Sequence, residues 1–91
     1  MNTLLWIRVG DGGDYQSFDG LDDALDYLNE LSVGNVLDWV DHGQGVGFTT
    51  PNYHGSDFIS CFWGDNDGNF LAALDDDEQC TLKAGLEEAY I

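Results

Sequence analysis

The sequence predicts an α+β fold: an antiparallel sheet of about four to five strands with two helices, approximately β-α-β-β-β-β-α, as one acidic domain over residues 1–91. Three observations carry this. An apolar stripe at helical spacing occupies residues 19–31, and a second helical pattern follows the acidic run at 75–78. Between and before them lie short β-branched and aromatic runs punctuated by Gly, Asp and Asn, which read as strands of an antiparallel sheet with the helices packed on it.

Residues 3–9 read as the first strand, with Leu5, Ile7 and Val9 on one side and Leu4, Trp6 and Arg8 on the other. Asp11, Gly12, Gly13 and Asp14 close it as a turn. The first helix is expected over about 19–31. Leu21, Ala24, Leu25, Leu28 and Leu31 form its apolar stripe, and Asp19, Asp22, Asp23, Asp26 and Glu30 share the opposite face. Residues 33–41 fit either a helix or a strand; the bracketing glycines Gly34 and Gly43 favour the strand. Residues 46–50 read as another strand, ended by Pro51. Residues 58–63 and 70–74 flank Gly64, Asp65, Asn66, Asp67, Gly68 and Asn69, a hairpin signal with its turn residues in place. A closing helix is expected over about 76–89, with Leu82, Leu86, Ala89 and Tyr90 on one side and Gly85 weakening it by up to ~1 kcal/mol relative to Ala.

Eighteen acids stand against two bases, Arg8 and Lys83, for a formal charge of −16. Charged residues make up 22 % of the chain, so the sign balance is abnormal and the amount of charge is not. Without clustered bases to displace counterions, the chain is unsuited to bind nucleic acid or an anionic membrane directly. It is equally short of cations to hold phosphate or a carboxylate substrate. High net charge also suggests disorder, but 43 % hydrophobic residues and twelve aromatics provide a core. Repulsion among the acids lowers stability at low salt.

No span near ~20 apolar residues is present. Leu4 to Ile7 is too short for a secretory signal and has no basic region before it. Cys61 and Cys80 permit at most one bridge, and Cys61 lies in an apolar strand pattern, so a reducing, cytoplasmic setting is expected.

The sites that could carry chemistry are weak. Placing Gly68 at position 6 of a calcium loop puts Trp63 at position 1 and Leu74 at position 12, where carboxylates are needed. His42, His54, Cys61 and Cys80 lack the paired spacing of a zinc site. Gly43, Gln44, Gly45, Val46 and Gly47 lack the Gly-Lys-Ser/Thr of a phosphate loop. No pair of carboxylates is marked out for acid-base work. The expectation is therefore no catalytic residue, no metal and no cofactor.

Many acids have local reasons to be where they are. Asp19, Asp22 and Asp23 lie at a helix start, and Asp75, Asp76, Asp77 and Glu78 repeat that arrangement. Asp11, Asp14, Asp65 and Asp67 are turn residues. Asp26, Glu30, Asp38, Asp41, Asp57, Glu87 and Glu88 have no such reason, and nothing local explains the missing lysines.

In size, in its 18-to-2 charge ratio and in the carboxylates spaced along one helix face at Asp19, Asp22, Asp23, Asp26 and Glu30, the chain resembles the small DNA-mimic inhibitors of phages and mobile elements: anti-restriction, anti-CRISPR and uracil-DNA glycosylase inhibitor proteins. B-DNA carries one negative charge per ~1.7 Å, so −16 matches very roughly eight base pairs. The resemblance implies a non-catalytic inhibitor in the host cytoplasm. Its partner would be a basic nucleic-acid-binding protein: a host nuclease, CRISPR effector or restriction enzyme. The expected contact residues are Asp19, Asp22, Asp23, Asp26, Glu30, Asp65, Asp67, Asp75, Asp76, Asp77 and Glu78, with Tyr15 or Tyr27 as specificity anchors. A homodimer would lengthen such a mimic. An immunity protein or antitoxin for a basic nuclease toxin would use the same physics. A halophile's acidic protein would instead spread its carboxylates evenly over all faces.

Overall fold

A computed structural model describes residues 3–9, 14–31, 33–34, 36, 38–42, 45–49 and 58–86. Its elements are β1 (Leu4–Val9), β2 (Gln16–Phe18), α1 (Leu21–Glu30), β3 (Asp38–His42), β4 (Gly45–Thr49), β5 (Phe58–Gly64), β6 (Phe70–Ala72) and α2 (Asp76–Gly85). The six strands form one antiparallel sheet in the order β2-β1-β5-β4-β3, with β6 also on β5. The α+β class and the two helices agree with the sequence reading.

Strand β5 organises the sheet. One edge pairs with β1 from Val9↔Ile59 to Leu4↔Gly64. The other edge pairs with β4 as far as Cys61 and then with β6 at Trp63 and Gly64, where the register shifts. Strand β6 thus takes the edge that β4 leaves free, so its backbone groups are paired. The turn between β5 and β6 needs glycine: a Cβ on Gly64 would stand 2.8 Å from both the Asn69 carbonyl oxygen and Trp6 Cδ1. Gly68 holds φ +86, a conformation glycine adopts without steric cost.

Alternation gives the sheet two unlike faces. Leu5, Ile7, Phe48, Ile59 and Cys61 are in phase and form the core with Ala24 and Leu28 of α1 and Leu82 of α2. Val33, Val36, Leu74 and Leu86 complete it. The α1 stripe is as the spacing requires: Ala24 and Leu28 are fully buried, and Leu21, Leu25 and Leu31 pack partly buried against the core.

Several boundaries differ from expectation. Strand β2 lies in a segment to which the sequence assigns no element, because three residues carry no measurable alternation; its Phe18 pairs with Leu5 and stacks on Tyr27 at 5.0 Å. Within 33–41, the strand begins at Asp38. Val33 and Val36 are buried outside any regular element, and Gly34 has φ 84, so glycine there turns the chain. Gly45 and Gly47 belong to β4, paired with His42 and Val40. Strand β6 stops at Ala72, and α2 stops at Gly85 because Leu86 is extended at φ −82, ψ 131. Residues 11–13, 43–44, 50–57 and 87–91 lie outside the described residues, and with them Asp11, Asp57, Glu87, Glu88 and His54.

Gly85 also has a different role from the one its propensity suggests. A Cβ there would meet Leu25 Cδ1 at 2.6 Å, and its carbonyl accepts a bond from Asn29 Nδ2 at 3.0 Å. Glycine is what lets the last turn of α2 approach α1. No helix among the described residues is long and apolar enough to cross a membrane.

Candidate functional site

On α1, Asp22, Asp23, Asp26 and Glu30 are all exposed, as is Asp19 just before it. At ~1.5 Å rise per residue, Asp22, Asp26 and Glu30 stand at levels ~6 Å apart on one side of the helix. The four helical acids place a charge every ~3–4 Å of axis, close to the ~3.4 Å per phosphate of one DNA strand. The expectation that Asp19 caps this helix is not met. The N-cap is Gly20, with no side-chain cap bond. Asp22 and Asp23 sit in the first turn, where they favour the helix dipole without being tied to the backbone.

The other acidic clusters are built differently. At α2, the Glu78 N–H donates to Asp75 Oδ1 at 2.8 Å, and the Asp75 N–H donates to Glu78 Oε1 at 2.9 Å, a complete capping box. Asp76 and Asp77 are exposed in the same first turn. In the β5–β6 turn, Asp65 Oδ1 accepts the N–H groups of Asp67 and Asn69 at 2.9 Å each, and Oδ2 accepts Asn69 Nδ2 at 3.1 Å. The Asn69 N–H and side-chain amide, with the Asp67 N–H, hold the Asp65 carboxyl below its ordinary value. The Asp65 carbonyl also accepts Trp6 Nε1–H at 2.9 Å, which ties the turn to β1. Asp65 is therefore a turn-building residue, whereas Asp67 is exposed.

Strand register puts these clusters at one end of the sheet. Phe18 pairs with Leu5 just before Asp19; Gly64 pairs with Leu4 just before Asp65; Ala72 pairs with Trp63 shortly before Asp75. There the start of α1 faces the first turns of α2 across a cleft of about 580 Å³ lined by Asp19, Gly20, Leu21, Asp22, Asp23, Trp63, Glu78 and Thr81. Trp63 and Glu78 also line an adjoining cleft of about 450 Å³ with Thr3, Leu71 and Ala72. Of the expected contact residues, the first cleft gathers Asp19, Asp22, Asp23 and Glu78. Asp26 and Glu30 continue the charged row along α1. Asp65, Asp67, Asp75, Asp76 and Asp77 line neither cleft.

Sequence reasoning missed Trp63 and Leu71. The available signal was phase: Trp63 shares the core face with Ile59 and Cys61 but stands at the last full position before the turn. Tyr15 and Tyr27, named as anchors, are half-buried and engaged elsewhere. Tyr15 meets Phe62 edge-on at 5.3 Å and lies under the Arg8 guanidinium at 5.1 Å, while Tyr27 packs on Phe18.

The opposite sheet face has another character. Leu4, Trp6, Arg8, Ser60, Phe62 and Phe70 are in phase there, with Phe62 and Phe70 rings 5.9 Å apart. Among the described residues, no acid stands on this face of β1, β2, β4, β5 or β6; Asp38, on the outermost strand β3, is in phase with it. Arg8 Nε is buried there without a hydrogen-bond partner among the described residues. The two cysteines are not bridged to each other: Cys61 is buried, which pushes its thiol up to about 12, and Cys80 is exposed. No group of three or more His, Cys, Asp or Glu among the described residues is placed to hold a metal ion. Comparison with protein-family models, curated proteins and solved structures finds no match to this chain.

Proposed function

We propose that the protein is a non-catalytic nucleic-acid mimic, which occupies the basic DNA- or RNA-binding surface of a host defence complex or nuclease, as anti-CRISPR and anti-restriction proteins do. The observation that carries this reading is the row Asp22, Asp26 and Glu30. These carboxylates are exposed and have no cap or turn to build, and together with Asp23 they space charge along the helix axis at about the density of one nucleic-acid strand. The described acids also concentrate on the helices and one end of the sheet. A halophile's even coating does not predict that segregation, whereas a directed contact surface does. The mimic would act in the cytoplasm of the host cell, with electrostatic steering making its association fast and salt-sensitive.

The test is affinity capture from a bacterial lysate at low salt, followed by elution with duplex DNA, using the wild-type chain and the triple variant Asp22→Lys, Asp26→Lys, Glu30→Lys. The wild type should retain a nucleic-acid-binding protein that duplex DNA displaces. The variant should lose it while keeping the wild-type circular dichroism spectrum. Equal capture by both chains removes the row from the interface. Recovery of a single toxin nuclease turns the reading to an immunity protein.

A further inference from the structure

An electrostatic mimic needs carboxylates at its surface, yet this one also presents an apolar seat beside them. Leu71 is 44 % exposed on β6, and with Ala72, Thr3 and Trp63 it lines the smaller cleft. Glu78 closes that cleft, and the same Glu78 and Trp63 open into the larger one, whose far wall carries Asp19, Asp22 and Asp23. The result is an apolar floor with an acidic rim on one side. Charge complementarity selects the occupant. A second copy of this chain would bring a net −16 against the rim, and its Arg8 is already held over Tyr15. Nucleic acid is repelled for the same reason.

We infer that the two clefts together seat a basic amphipathic segment of the partner protein, an apolar side chain lying on Trp63, Leu71 and Ala72 while a neighbouring Arg or Lys is held between Glu78 and the Asp19, Asp22 and Asp23 wall. This rests on the proposed mimicry and adds what mimicry lacks. Carboxylate rows attract any basic channel, whereas an apolar anchor next to a charged one distinguishes among basic proteins, and central anchors of this kind dominate interface energetics. An Arg head can also stack on the indole of Trp63.

Two short synthetic peptides of equal positive charge test it, one with leucines on one face between its arginines, the other with serines in their place. Binding is measured by isothermal titration at two salt concentrations and by the Trp63 indole N–H signal in NMR. The wild type should prefer the leucine peptide about tenfold, one or two well-buried contacts' worth. Leu71→Thr, which keeps β propensity and net charge, should remove that preference by weakening the leucine peptide more than the serine peptide. The triple reversal on α1 should weaken both peptides alike. Equal affinity of the wild type for the two peptides, or a leucine preference surviving Leu71→Thr, overturns the apolar seat even if binding stays salt-sensitive. A leucine preference without salt dependence upholds the seat and sinks the mimicry.

Discussion

Helix α2 begins with Asp75 and Glu78 bonded to each other's backbone N–H groups, whereas α1 begins with Gly20, which has no side chain to give, and its Asp22 and Asp23 stand unbonded to the helix end. Both starts carry the same kind of acidic sequence, and both belong to the same end of the sheet. The difference teaches what composition conceals: a carboxylate committed to backbone amides is part of the scaffold, and one left free is available to a partner. By that criterion Asp65, Asp75 and Glu78 build the fold, and Asp22, Asp26 and Glu30 are surplus to it. Glu78 does both, since it lines the two clefts while accepting the Asp75 N–H.

The largest stability effect tests the scaffold side. Gly64→Ala forces a Cβ against the Asn69 carbonyl and Trp6, neither of which can yield without moving the Asp65 turn. Overpacking of this kind costs ~1–3 kcal/mol, and at ~4–8 °C per kcal/mol for a domain of this size, thermal melting should show it plainly. Asp75→Ala removes the capping box and should cost ~1 kcal/mol. Asp22→Asn, at a surplus position, should stay within ~0.5 kcal/mol of wild type. If the two helix-start variants melt alike, the distinction between committed and free carboxylates fails.

The Asp65 turn adds a pH signature. Its carboxyl titrates lower in the folded chain than in the unfolded one, so its stabilisation is present above the unfolded value and is lost as pH falls through the lowered folded value. Repulsion among the free acids has the opposite sign, since protonation relieves it. Denaturant melts of wild type and Asp65→Asn should therefore differ near neutral pH and converge in strong acid. A constant difference across that range would detach Asp65 from the turn's stability.

Strong periodic signals were legible in the sequence, and short or shared ones were not. The α1 stripe was read correctly because five positions repeat at one spacing, and the β5–β6 hairpin because its turn needs residues few other structures want. Strand β2 escaped because pairing to Leu5 defines it, and pairing is a property of two segments. Helix α2 ends short of the expected 89 because the apolar spacing of Leu82, Leu86, Ala89 and Tyr90 runs on past Gly85, whereas Leu86 is extended and Gly85 serves the close approach to Leu25. The site shows the same division. Exposure of the α1 acids followed from the stripe opposite them, but the meeting of Asp19, Asp22 and Asp23 with Glu78 over Trp63 follows from the sheet register, which brings residues nearly sixty positions apart to one end.

The smallest effect probes the α1 side alone. Gly20 is extended, with φ −169, and a Cβ there would meet nothing within 4 Å, so any residue fits. Gly20→Ser supplies the oxygen that α1 lacks, in reach of the N–H groups of Asp22 and Asp23, and should gain a few tenths of a kcal/mol (~0.3), the usual margin of serine over glycine at an N-cap. The gain itself is modest; the state of the neighbouring carboxylates is the sharper measurement. Serine adds no charge and leaves them outside the cap, so the carboxyl-carbon NMR signals of Asp22 and Asp23 should not move while the melting temperature rises slightly. A shift of either signal would mean that Asp22 or Asp23 had turned inward to compete for the same amides, and that their freedom in the wild type depends on glycine at position 20.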